Sequence, residues 1–99
     1  MATSTIKDAL LRKTTMTAIQ HTAASATTLS AGTTKSIQIP IAYEGFSPIG
    51  VVGFDVTDGR VLLINVRVAS GPVVIMWVKN TSSESVSITP NATVLWQKN

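Results

Sequence analysis

From Thr33 to the C-terminus, apolar residues recur at every second position in short runs cut by turn residues. A period of two puts alternate side chains on opposite faces of a strand, so each run reads as a strand with one face to bury. In "TTKSIQIPIAY", Ile37, Ile39, Ile41 and Tyr43 point one way, and Ser36, Gln38 and Ala42 the other. Pro40 has no N–H to donate, so this strand lies at an edge or carries a bulge. In "VLLINVRVA" the expected inward set is Leu62, Ile64, Val66 and Val68, with Asn65 and Arg67 outward. "VVIMWVKN" is apolar on both faces as far as Lys79, which marks a central or interface strand. "TDGR" predicts a hairpin turn of type I′ at Asp58-Gly59, and "SGP", "TSSES" and "PNA" supply further breaks. Several short strands between turn signals predict an all-β fold, an antiparallel β-sandwich or jelly roll.

One strand breaks the pattern. "GFSPIGVVGFDV", residues 45–56, is apolar enough for a core yet holds three glycines and a proline. Val52, Phe54 and Val56 form its expected inward set. Pro48 precedes the strand, where a missing donor does little harm. Gly50 and Gly53 mark a bulge, a bend or the close approach of another backbone. The simplest reading is a strand that crosses from one sheet to another at a corner; the alternative is close contact with a neighbouring subunit.

The composition changes near residue 33, which suggests an N-terminal arm over residues 1–32 and a β domain over residues 33–99. In "TSTIKDALLRK", Thr5 and Asp8 have the spacing of a capping box. Ile6, Leu10 and Leu11 could share one face of a short helix, with Arg12 and Lys13 beside them. Two turns of helix do not persist alone in water, so such an arm would lean on something. Residues 14–28 suit an added strand or an extended strap. The formal charge is +3, and the whole excess lies in residues 1–35, where Lys7, Arg12, Lys13 and Lys35 face a lone Asp8. This suits docking on an acidic surface, or simply a solvated helix end. No aromatic interleaves with these charges, which argues against nucleic acid as a partner.

Ninety-nine residues make one domain with a modest core, and the absence of cysteine removes disulfides and thiolate metal sites. Only 13% of residues are charged while 44% are hydrophobic, a sparse charge that points to surface buried against partners. No apolar run approaches the roughly 20 residues that cross a membrane. Lys7 and Asp8 interrupt any signal-peptide core, so synthesis in the cytoplasm and later assembly is the expectation.

No catalytic or metal-binding signature is present, and no cofactor is implied. His21 sits among Thr and Ala, away from any acid that would orient it. Asp55 and Asp58 lack the ligand spacing of a calcium loop. Glu44 and Glu84 lie in expected loops, and no GK[ST] follows the glycines. Asn80 and Asn91 begin glycosylation sequons that read as chance matches. Trp77 and Trp96 lie on strands with apolar neighbours and, with Val74 and Met76, are expected in the core or an oligomer interface. A sugar-stacking platform is the alternative for a tryptophan, and requires polar groups nearby.

Gly45, Phe46, Pro48, Ile49, Gly50 and Gly53, then Asn80, Thr81, Ser82 and Ser83, then Val94, Leu95, Lys98 and Asn99 carry a resemblance. Over residues 30–99 the chain resembles small β-sandwich proteins of bacteriophage virions, of the appendage, fibre or head-decoration type. The resemblance implies a non-enzymatic structural protein of the virion, often a homotrimer, made in the host bacterium. It would attach by its N-terminal segment to the major capsid protein or another virion protein and project a β domain. The rival expectation is a carbohydrate-binding module for host-surface or mucus glycans.

Overall fold

The fold was obtained as a computed structural model, which describes residues 15–99. The expected helix and its residues Ile6, Leu10, Leu11, Arg12 and Lys13 lie outside the described residues. Within them the chain forms eight strands: β1 (Met16–Thr22), β2 (Thr27–Leu29), β3 (Thr34–Pro40), β4 (Phe46–Asp55), β5 (Val61–Ala69), β6 (Val73–Asn80), β7 (Val86–Ile88) and β8 (Asn91–Lys98). All pairings are antiparallel: one sheet has the order β1-β8-β4, another β3-β6-β5, and β2 pairs with β7.

The three sheets share one core. Ile37, Ile39, Val74, Met76 and Val78 come from β3 and β6, Ala92, Val94 and Trp96 from β8, and Leu29, Val86 and Ile88 from the small sheet. Fully burying a side chain of this kind contributes about 1.5–3 kcal/mol, so this cluster carries the fold. The arrangement is consistent with the expected β-sandwich.

Strand β6 is the central strand of its sheet and alternates without a fault: Val74, Met76, Val78 and Asn80 are buried, and Ile75, Trp77 and Lys79 turn outward. Pro40 ends β3, an edge strand, where its missing N–H costs no ladder bond.

The sheets also enlist residues expected in the arm. Met16–Thr22 pairs along β8 from Gln97 to Asn91, and Leu29 is fully buried. The expected boundary at residue 33 is therefore corrected: the folded unit reaches back at least to β1. The lysine-poor, β-branched run of Thr and Ile from residue 14 has the composition of a strand, and its weak alternation hides a half-buried edge.

Asn80 is a buried polar residue, and its bonds close the fold between distant segments. Its Nδ2 donates to the Leu29 carbonyl at 3.0 Å and the Glu84 carbonyl at 2.6 Å. Its Oδ1 accepts from the Ser82 N–H at 2.9 Å and the Ser82 hydroxyl at 2.7 Å. Burial without these partners would cost roughly 1–3 kcal/mol. The sequon at Asn80 is thus closed to a glycan in the folded chain.

Two turns differ in kind. At Tyr43–Phe46 the Phe46 N–H donates to the Tyr43 carbonyl, and Gly45 supplies a φ of 82° that a side chain resists. The turn lays Phe46 on Tyr43, with ring centroids 4.2 Å apart. At Asp58-Gly59 the expected type I′ hairpin is absent, since β4 and β5 belong to different sheets. Thr57, not Gly59, takes the positive φ, with the Asp55 carboxylate accepting its N–H, and the Asp58 carboxylate accepts the Arg60 N–H. These side-chain bonds shape a link between sheets rather than a hairpin.

Candidate binding surface

The punctured strand β4 runs beside β8 from end to end, so it is not the corner where the chain changes sheets. The irregularities are two bulges. Pro48, expected before the strand, lies inside it opposite Trp96, and Gly50 is opposite Leu95, which leaves Ile49 as an extra residue. Val51 is opposite Val94 and Gly53 opposite Thr93, which leaves Val52 as a second. Each bulge shifts the phase of the residues beyond it. The expected inward set Val52, Phe54 and Val56 is corrected accordingly: Val51 and Val56 pack on the core, while Val52 and Phe54 are exposed. Gly50 and Gly53 lie against the outer side of β8; a Cβ at Gly53 would sit 3.6 Å from that of Thr93, and none would touch at Gly50.

Strand β5 repeats the device once. Leu63 is opposite Val78 and Asn65 opposite Trp77, so Ile64 is extra. Leu63 faces inward before the bulge and Val66 and Val68 after it, whereas Leu62 and Ile64, expected inward, are exposed. Strands β4 and β5 are the adjoining edges of their two sheets. Five of the seven large exposed hydrophobics lie on this pair: Ile49, Val52, Phe54, Leu62 and Ile64. Met16 and Trp77 are the others.

Of the residues expected in a core or interface, Val74, Met76 and Trp96 are buried. The Trp96 indole N–H donates to His21 Nε2 at 3.1 Å, and its ring meets Tyr43 edge-on at 5.9 Å. Partial burial holds the His21 pKa below its ordinary 6.5, in keeping with a neutral ring that accepts at Nε2. Trp77, by contrast, is 43% exposed on the outer face of β3-β6-β5. It is flanked across the sheet by Ser36 and Asn65, with Lys79 and Leu62 in the row on one side and Gln38, Ile75 and Arg67 on the other. Sequence alternation alone places Trp77 on the opposite face from Met76; what it could not show is that this face lies uncovered.

The loop acids form local contacts. The Arg60 side chain, then its N–H, hydrogen-bond the Asp58 carboxyl and hold its pKa down at about 2. Arg60 also lies 3.6 Å from Glu84. Among the described residues no three His, Cys, Asp or Glu side chains gather as a metal site would require, and no enclosed pocket is found. The exposed features are sheet faces and edges. Comparison of the chain with known protein families, with curated proteins and with solved structures finds no match to any of them.

Proposed function

We propose that this chain is a non-enzymatic structural β-sandwich module of the bacteriophage-virion type that assembles with copies of itself, as a trimer or another closed ring. The observation that carries the proposal is the apolar surface of the adjoining strands β4 and β5, where Ile49, Val52, Phe54, Leu62 and Ile64 are all exposed. A chain with so few charges has little with which to keep that surface soluble. Symmetric closure covers the same patch on every copy at once. The bulges also interrupt the ladder edge, so a neighbour would pack on these side chains instead of extending the sheet. Residues 1–14, with Ile6, Leu10 and Leu11 for apolar contact and Arg12 and Lys13 for attraction, would then fix the ring to a larger particle.

Sedimentation of the whole chain tests this. At micromolar concentration it should run as a closed oligomer, and Ile49→Asp with Val52→Asp should convert it to a folded monomer, because neither side chain belongs to the core. A wild-type monomer, or a double variant still assembled, would overturn the proposal. Removing residues 1–14 should leave the oligomer intact and abolish co-sedimentation with virions; full occupancy would show that this segment is not the anchor.

A further inference from the structure

We propose that the outer face of β3-β6-β5 binds an acidic glycan, with Trp77 as the stacking platform. The argument starts from position. Trp77 is in the middle row of the central strand, with a strand on either side, so its ring is exposed over a sheet and not at a frayed end. Large aromatic rings are normally used for burial, and this fold has a complete core without this one. An indole ring presents an apolar surface to the C–H face of a sugar and leaves its N–H free to donate.

The surroundings meet the second requirement. Opposite residues in neighbouring strands hold their Cβ atoms about 4.5–5.5 Å apart, and diagonal ones about 7–8 Å, within reach of long side chains. Ser36 and Asn65 are the opposite neighbours of Trp77, and Gln38 and Arg67 are diagonal ones. Lys79 is two residues along β6, about 7 Å away. A hydroxyl and two amides can donate to and accept from sugar hydroxyls. Arg67 and Lys79 are both cationic, and no carboxylate shares the face. Neither has an ion-pair partner among the described residues, where both salt bridges belong to Arg60. Two uncommitted cations beside a stacking ring select a sugar carrying a carboxylate, which an arginine can grip with two hydrogen bonds. A single-stranded nucleic acid would require a longer track of charge and more rings than this face offers. The site lies on the sheet face and meets the apolar edge only at Leu62, opposite Lys79, so it requires an assembly that leaves Trp77 uncovered.

The test is titration of the full chain, labelled with nitrogen-15, with tetragalacturonate, its neutral methyl ester and oligothymidylate. The Trp77 indole N–H resonance should shift saturably with tetragalacturonate, while that of buried Trp96 stays in place as an internal reference. The methyl ester should bind roughly tenfold more weakly, as should Arg67→Gln with Lys79→Gln toward the acid, a loss of about 1.4 kcal/mol. Trp77→Ala should abolish binding to tetragalacturonate and its ester while leaving the melting temperature nearly unchanged. No shift up to millimolar sugar, equal shifts at both tryptophans, or tighter binding of oligothymidylate would each overturn the proposal. So would a Trp77 resonance already shielded by a neighbouring copy in the native assembly.

Discussion

Strands β6 and β5 lie side by side in one sheet and treat the same kind of sequence in opposite ways. Both are mostly apolar, β5 with Val, Leu and Ile and β6 with Val, Ile, Met and Trp. In β6 alternation runs unbroken, and every second residue from Val74 to Asn80 is buried. In β5 one extra residue at Ile64 splits the strand into two phases and leaves Leu62 and Ile64 exposed. Strand β4, the edge of the other sheet, does this twice. The difference follows from position. A central strand is held by ladders on both sides, and a slip would turn its whole inner set to solvent. An edge strand has one ladder, so an insertion costs less there, and edges are where bulges gather. The interior of this molecule is built by regularity, and its apolar surface by interruptions.

The sharpest way to break that contrast is to delete one residue from each class. Deleting Ile75 from β6 should prevent folding, because everything beyond it in the strand changes face. Deleting Val52 should leave a folded chain, since Val51 and Gly53 would then oppose Val94 and Thr93 in ordinary register. Circular dichroism and a melting curve on both variants decide the matter; equal outcomes would refute the distinction.

A smaller effect separates the two tryptophans. Trp96→Ala removes a ring that is 1% exposed and should cost about 3–5 kcal/mol. Trp77→Ala removes an exposed one and should cost less than about 1 kcal/mol. Urea titration of the two variants measures the gap, and comparable losses would mean that Trp77 is covered in the working assembly.

The smallest effect is expected at the other edge, where β1 meets β8. His21 accepts the Trp96 indole N–H at Nε2, and its pKa is lowered below 6.5 by burial. The unfolded chain therefore binds the proton more readily than the folded one. The stabilisation is fully present above about pH 6.5 and is lost as the pH falls through the lowered folded value. Melting temperature should decline over that window, and His21→Phe should remove this dependence. A profile unchanged by the substitution would assign the decline elsewhere.

The sequence made much of this legible and hid the rest for definite reasons. The inward run Ile37, Ile39 and Ile41 follows from period two; β6 reads as apolar on both faces, so alternation groups Val74, Met76 and Val78 without saying which side is buried, and size alone treats Trp77 and Trp96 alike. The exposed residues of β4 and β5 did not follow, because a bulge preserves composition while reversing phase, and only the partner strand shows where the count changes. Glycines 50 and 53 signalled irregularity without fixing its place. The strands β1 and β2 were obscured by their threonines and alanines, which form a strand only when β7 and β8 are there to pair with. Asn80 read only as the start of a chance sequon; its burial depends on the carbonyls of Leu29 and Glu84, one of them far away in sequence.

One ladder has a consequence for how such a unit can be joined to others. Met16 opposes Gln97, and the Lys98 N–H donates to the Thr15 carbonyl at 2.9 Å. The chain thus enters and leaves the described fold on neighbouring strands, about 4.8 Å apart. A unit whose two ends meet can be spliced into a surface loop of another protein without stretching either partner. At the other end of the β1-β8-β4 sheet, past Thr22, Asn91 and Asp55, the chain turns through Val56–Arg60, and a peptide grafted at exposed Gly59 would be displayed away from the splice, whichever scaffold received the module.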